Sequence, residues 1–415
     1  MKTIYNYLII TSIISLLPLG LIRGQSLNEY LKEAGENHPG IQAVYHEYHA
    51  ALEKVPQVGT LPDPKLSFGY FVSPVETRLG PQQFKFSMSQ MFPWFGTLKE
   101  QEKAATEKAR IKYQQFVDLK NQVYQEVKSQ WYELYKTNQA IRITKENLDI
   151  LNSLETISRR NYETGIGQMA DVLRIEVNIR EQKNKLADLQ DKLSTQKIDF
   201  KLLLNRSESN SIKVPENIQL HTFDIMSYRD SIRNHPKMKA LNHEKTALEH
   251  QYEADQKKGY PSLSLGLDYA IIGTRQDMQV DNSGRDVIMP MVGISLPLYR
   301  KKYNAMKKET KLKLQAVKSE KQNRLNTLSS QYKKAEEKYL NAHRKVDLYE
   351  QQVEETEKIY SLLKTNYSTD GENFFELLRT QLNVQKYKLK LDQAKADQNI
   401  AVSQLKYLTD QKQIR

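Results

Sequence analysis

The chain has 415 residues, a formal charge of +12 and a hydrophobic content of 39%, below the roughly 45–50% of an ordinary soluble domain. Such a chain, rich in Gln, Lys, Glu and Asn, cannot fill one large spherical core, but it can build long amphipathic helices with wet outer faces. Its lysines are scattered among glutamates without a block of like charge, which argues against a nucleic-acid-binding arm. The absence of cysteine excludes disulfides, thiolate metal sites, a cysteine nucleophile and a lipid anchor on an N-terminal cysteine.

Met1-Lys2 precedes an apolar run from Tyr7 to Ile22, broken by Thr11, Ser12 and Ser15. Residues 1–24 therefore read as a secretory signal peptide cleaved near Gly24, with an uncleaved anchor as the alternative. No other stretch reaches 18 consecutive apolar residues, so no transmembrane helix is expected beyond it.

A first unit, 25–215, opens with a short helix from Ser26 to about Glu36. Asn37-His38-Pro39 turns the chain, and Pro39 suits the first position of a second helix running to about Val55. Pro62-Asp63-Pro64 then ends helical geometry. The period changes to two. Leu66, Phe68 and Tyr70 alternate with Lys65, Ser67 and Gly69 in a strand over ~65–73. After a turn-like stretch (73–81), Phe84, Phe86 and Met88 alternate with Gln83, Lys85 and Ser87 in a second strand, ~83–92. Past the corner Phe92-Pro93-Trp94-Phe95 the spacing predicts a helical hairpin over ~98–204. Phe116, Val123, Val127, Leu134, Ile141, Leu148 and Leu151 form its coiled-coil-like seam, and Thr164-Gly165-Ile166-Gly167 its break.

A second unit, 216–415, repeats the first. Asn37-His38-Pro39 returns as Asn234-His235-Pro236, a lag of 197, and Pro64 returns as Pro261. Strands are expected over ~262–272 and ~287–296, with a long polar loop between them, followed by the corner at Pro297 and a helical hairpin over ~301–408. The lag reaches 204 at Pro93/Pro297 and 205 at Asn161/Asn366. The seven extra residues belong in the loop joining the strands, since surface loops tolerate length changes. Four half-polar strands cannot close a barrel, for which about eight are the minimum. Either a soluble layer covers the apolar face, or several chains pool strands in lipid. Aromatic residues near the strand ends (Tyr70, Phe71, Phe92, Trp94, Phe95, Tyr260, Tyr269, Tyr299) favour the second.

The signal peptide, the duplicated helix–hairpin–helix plan, the proline corners, and Asn161-Tyr162-Glu163-Thr164-Gly165 ahead of Ala170-Asp171-Val172-Leu173 together resemble TolC-type outer-membrane efflux proteins. Gln90-Met91-Phe92-Pro93-Trp94-Phe95-Gly96 resembles the heavy-metal and multidrug branch of that family. The resemblance implies a mainly α fold with a small β part: a duplicated helix–β-hairpin–long helical hairpin unit. Three such chains would form a homotrimer whose twelve-stranded transmembrane barrel continues into a periplasmic coiled-coil tunnel. Pro64, Pro93, Pro261 and Pro297 would mark the barrel–helix corners. The implied function is a passive outer-membrane exit duct. Metal cations or drugs would leave through it, expelled by an inner-membrane pump through a periplasmic adaptor, with neither catalysis nor cofactor. With no N-terminal cysteine, the barrel alone would hold the protein in lipid.

The two helix breaks would form the tip. Asp171, Asp370, Glu372 and Glu376 lie at or just after them, either as carboxylate rings that favour cations and gate the duct or as acids complementing helix dipoles. Arg174 and Arg379 are their candidate partners across helices, or else solvated charges. Thr164, Gly165, Leu173, Thr369 and Leu378 are the expected adaptor contacts. His46 and His49 lie three apart on one helix, but no H-E-x-x-H pattern accompanies them and they read as helix-surface polar residues. The competing reading is a periplasmic adaptor or extended coiled-coil scaffold. That class should carry lipoyl-like segments around one hairpin rather than two matched ones.

Overall fold

The computed structural model describes residues 26–207, 211–370 and 373–411, with the side chains of 227–230 and 370 left aside. The expected signal peptide and Glu372 lie outside the described residues. Helix α1 (Leu27–Asn37) starts where the Glu29 carboxylate accepts the Ser26 N–H at 3.1 Å, and α2 (Pro39–Gly59) starts on its proline. Helix α2 runs four residues past the expected end at Val55, carrying Pro56 inside it. Only the last turn follows Pro56, on an exposed face, and the Gln57 side-chain amide donates to the Glu53 carbonyl at 2.9 Å.

The four strands form one antiparallel meander in chain order: β1 (Lys65–Thr77), β2 (Gly80–Phe92), β3 (Ser262–Ile272) and β4 (Val287–Ser295). The turn expected over 73–81 is instead strand, and the first hairpin closes through Arg78 and Leu79 alone. Pro74 misleads because β1 is an edge strand. Its pairing with β2 shifts register between Tyr70 and Val75, so the missing N–H costs no ladder bond. The 273–286 loop folds back over this tight turn. Gly273 N–H donates to the Pro81 carbonyl and Gly284 N–H to that of Leu79, both at 2.8 Å. Gly80 holds φ at +129°, and a Cβ there would lie 1.9 Å from the Gly273 oxygen. Only glycine fits.

Helices α3 (Thr97–Glu163) and α7 (Arg300–Asp370) are the long limbs, 67 and 71 residues, or about 100 Å each. Helices α4 (Met169–Leu203) and α8 (Phe374–Leu408) return along them. The short α5 (Ile225–Tyr228) and a 3-10 turn lead into α6 (Pro236–Lys257), which packs on α3 and α7. Apolar side chains collect in three islands along these limbs. One gathers Tyr30, Trp131 and Phe200, with Tyr30 5.2 Å from each of the other two rings. A second surrounds Tyr332, Leu328 and Leu405, and the third lies near the far ends of the limbs. Buried amides hold the linker between the halves: Asn399 Nδ2 donates to the Gln219 carbonyl and Gln398 Nε2 to that of His221, each at 2.8 Å.

At the start of α6, His235 is fully buried. Its Nδ1 accepts the Lys237 N–H at 3.2 Å, and its Nε2 lies 3.8 Å from Asp118, too far for a hydrogen bond. Burial, reinforced by the charges of Lys237, Arg324 and Lys239, pushes its pKa down to about 3. Burial also raises the Asp118 carboxyl, against the pull of Lys237 and Tyr407. Below the ordinary histidine value of 6.5 the unfolded chain takes up a proton that folded His235 refuses, so stability falls as pH falls, by roughly 1.4 kcal/mol per pH unit. Asp118, with a raised folded pKa, gains stability on acidification, but only as its own carboxyl titrates. Denaturant unfolding at pH 6.5 and pH 5 should therefore show a loss of about 2 kcal/mol from His235. His235→Asn, which retains an acceptor for Lys237 N–H, should flatten that slope; an unaltered slope would show that His235 is not its source.

Candidate functional site

Cross-strand register gathers the apolar positions on one side of the sheet. Leu66, Met88, Leu267 and Pro290 stand in one row, and Phe68, Phe86, Tyr269 and Ile288 in the next. No described element covers this side: Leu66 is 76% exposed and Val292 75%. The reverse side carries Ser67, Gly69, Ser87, Ser264 and Gly266, with Lys85 Nζ 2.5 Å from the Asp268 carboxylate. The apolar face suits lipid, and the polar face suits water. The outer edges of β1 and β4 have no partner strand among the described residues.

The prolines bracket the strands. Pro64 and Pro261 stand immediately before β1 and β3, and Pro93 and Pro297 just after β2 and β4. Each sits where no ladder donor is needed. Trp94 packs on Tyr260 across the corner, ring centres 5.3 Å apart.

At the opposite end of the limbs, Gly165 (φ +76°) turns α3 into α4, and the Asn161 carbonyl accepts the N–H groups of Ile166 and Gly167 at 2.9 Å. Thr164 caps the turn by donating its hydroxyl to the Arg160 carbonyl at 3.1 Å. Thr164, Gly165 and Leu173 lie on the surface, Leu173 at 49% exposure. Thr369 is exposed too, its hydroxyl bonded to the Thr365 carbonyl within α7. Leu378, the counterpart of Leu173, is 6% exposed, buried against Leu148, Leu151 and Tyr367 because α8 packs on α3. It offers no surface for a partner. Asp171 is buried in the first turn of α4, its carboxyl raised by burial against the pull of Arg174. Asp370 is the last residue of α7, and Glu376 is exposed in the first turn of α8. The two arginines do not reach across helices. Arg174 lies 3.4 Å from Asp171 and Arg379 3.5 Å from Glu376, each three residues on along the same helix. Such pairs are worth a few tenths of a kcal/mol.

The sequence reading missed the main stitch of this end. The hydroxyls of Ser158 on α3 and Tyr367 on α7, both 1% exposed, are bonded at 2.7 Å. It also missed Ile166, Met169 and Phe375, exposed apolar side chains around the two turns. Two histidines join α6 to α3: His243 contacts Glu107 at 2.7 Å and His250 contacts Glu100 at 2.8 Å. Tyr367→Phe should strand the Ser158 hydroxyl at a cost of about 1–3 kcal/mol, and adding Ser158→Ala should recover part of that loss. Amide exchange across residues 148–179 reads both variants; wild-type rates in Tyr367→Phe would mean that the bond holds nothing together.

The model of the family described as outer membrane efflux protein matches residues 30–206 and again 227–410. Among curated proteins, none matches significantly. Among solved structures, the fold is similar to that of the outer membrane protein VceC of Vibrio cholerae, with a TM-score of 0.74 at 15% identity over 92% of this chain and 95% of that one. CusC gives a TM-score of 0.76 at 12% identity, over 92% and 91%. The open-state MtrE outer membrane channel of Neisseria gonorrhoeae gives 0.73 at 14% identity, over 93% and 89%. Two successive matches spanning nearly all the described residues agree with the lipid-suited sheet and the long paired limbs, and the chain belongs to the outer membrane efflux protein family.

Proposed function

We propose that three copies of this chain form the outer-membrane duct of a tripartite efflux system. The carrying observation is the uncovered apolar sheet face between two open strand edges. Pairing β4 of one chain with β1 of the next gives twelve strands and removes every edge. Residues 1–24 serve as the export signal, and 25–215 and 216–415 are the two units that together supply each third of the wall. Support for the trimer continues down the limbs. Helix α4 leaves Leu173, Val177 and Leu202 exposed, and α7 leaves Leu340, Leu348 and Ile359 exposed. These stripes are mates across the seam between neighbouring chains.

The duct is passive: solutes, metal cations or drugs, enter at the helical tip from a pump and adaptor and leave through the barrel. Thr164, Gly165, Leu173 and Thr369 offer the adaptor a surface, and Glu376 offers the entry an exposed carboxylate, with Asp370 and Glu372 close to it in sequence and Asp171 buried at the other turn. Membrane fractionation tests the whole reading. A heat-modifiable oligomer should appear in outer-membrane extract, and a wholly soluble periplasmic protein would sink the proposal. Glu376→Lys, on an exposed side chain, should lower export and adaptor cross-linking at unchanged protein level; if neither moves, the carboxylate has no part in entry.

A further inference from the structure

Where β2 hands over to α3, the chain leaves a concavity of about 870 Å³. Its walls come from the ends of α2 and α6, the first turns of α3, and Met91, Ser262 and Ser295 of the strand ends. Those three stand on the polar side of the sheet, so the concavity opens to water.

Helix α3 begins there without a side-chain cap, its N-cap being Gly96 at φ +78°. The Thr97 N–H donates to the Trp94 carbonyl at 3.0 Å, and the remaining unsatisfied N–H groups of the first turn carry a partial positive charge. A Cβ on Gly96 would lie 2.8 Å from Lys257 Nζ, so an ammonium group rests against the positive end of the helix. Alone, that is repulsive. Glu100 answers it only at 3.9 Å, and its carboxylate already contacts Lys103 at 3.0 Å and His250 at 2.8 Å. Thr97 lines the concavity, is 3% exposed, and its hydroxyl has no hydrogen-bond partner among the described residues. Lys108 adds a further ammonium with no carboxylate within ion-pair distance among the described residues, against a single acid in the lining, Asp63. The second unit lacks this arrangement: Arg300 stands in the place of Gly96 and donates to the Gly259 carbonyl at 2.9 Å.

We infer that this corner binds an organic phosphate or equivalent oxyanion, its charge seated at the α3 N-terminus on Lys257 and Thr97, its apolar body against Met91. A helix N-terminus with backbone donors and an adjacent cation is suited to such a group. The site is built by one chain, so it stands or falls separately from the trimer. The phosphate has two possible sources, a solute in the duct or the headgroup of a phospholipid.

The test uses the full-length protein, extracted in phospholipid-free neutral detergent and titrated calorimetrically with 1-naphthyl phosphate. In parallel, the same protein is placed in phosphatidylcholine nanodiscs with and without phosphatidylglycerol, and retained lipid is counted by native mass spectrometry. Saturable binding should weaken about tenfold in Lys257→Gln, the equivalent of one charge-assisted hydrogen bond. It should survive in Lys257→Arg, fall several-fold in Thr97→Val, and stay unchanged in Lys334→Gln on distant α7. Naphthyl phosphate binding marks a solute site, and Lys257-dependent retention of phosphatidylglycerol alone marks a lipid site; both support the inference. If Lys257→Gln does not fold, the Lys257→Arg and Thr97→Val pair decides. No saturable binding of either probe, or binding indifferent to these substitutions, overturns it. Outer-membrane assembly checked in the same preparations separates that failure from failure of the duct itself.

Discussion

A four-stranded sheet with one bare apolar face is the constraint from which the rest follows. Each large apolar side chain left in water forgoes about 1.5–3 kcal/mol, and the open edges of β1 and β4 invite further pairing. No described helix shields that face; the described helices leave the sheet at its proline corners and run away from it. In the duct proposed above, lipid supplies the missing cover, and strands of neighbouring chains the missing edges. Among the described residues no helix is long and apolar enough to cross a membrane.

The same constraint accounts for the polar composition. A wall of long paired helices with water on both sides has little interior, so its apolar residues fall into three separate islands rather than one core. Within the third island the helices are also joined by buried polar pairs. Gln381 Nε2 donates to Asn147 Oδ1 at 2.9 Å and Gln385 Nε2 to Gln182 Oε1 at 2.8 Å. Such bonds add little net stability, but leaving either partner unmatched is costly. They fix the register in which α8 lies against α3 and α4.

Strand alternation, the proline corners and the glycine break at Gly165 were legible because each is a local rule acting on adjacent residues. Alternation at Leu66, Phe68 and Tyr70 named the apolar face before any pairing was known. Pro74 misled because a proline's meaning depends on whether its strand is an edge, which only the assembled sheet decides. The fold of 273–286 over Gly80 joins segments nearly 200 residues apart, and the Ser158–Tyr367 bond likewise joins partners distant in sequence. No local pattern encodes such pairs. The charge on Lys257 could be read directly, but its position against Gly96 could not.

Duplication made the two units look interchangeable, and the tip shows where they are not. Tyr162 is 48% exposed and its counterpart Tyr367 1%; Leu173 is 49% exposed and Leu378 6%. The cause is placement. Within one chain α8 has α3 beside it, whereas α4 lies on α3 and only lightly on α8. A ring of alternating units contains two kinds of seam, and a single chain closes only one of them. The residues buried in the closed seam, Tyr367 and Leu378, then predict the surroundings of their equivalents in the open one. In the trimer proposed above, Tyr162 and Leu173 meet the next chain much as Tyr367 and Leu378 meet their own. Leu173 consequently serves the seam first, and only the part of it left uncovered there remains for an adaptor.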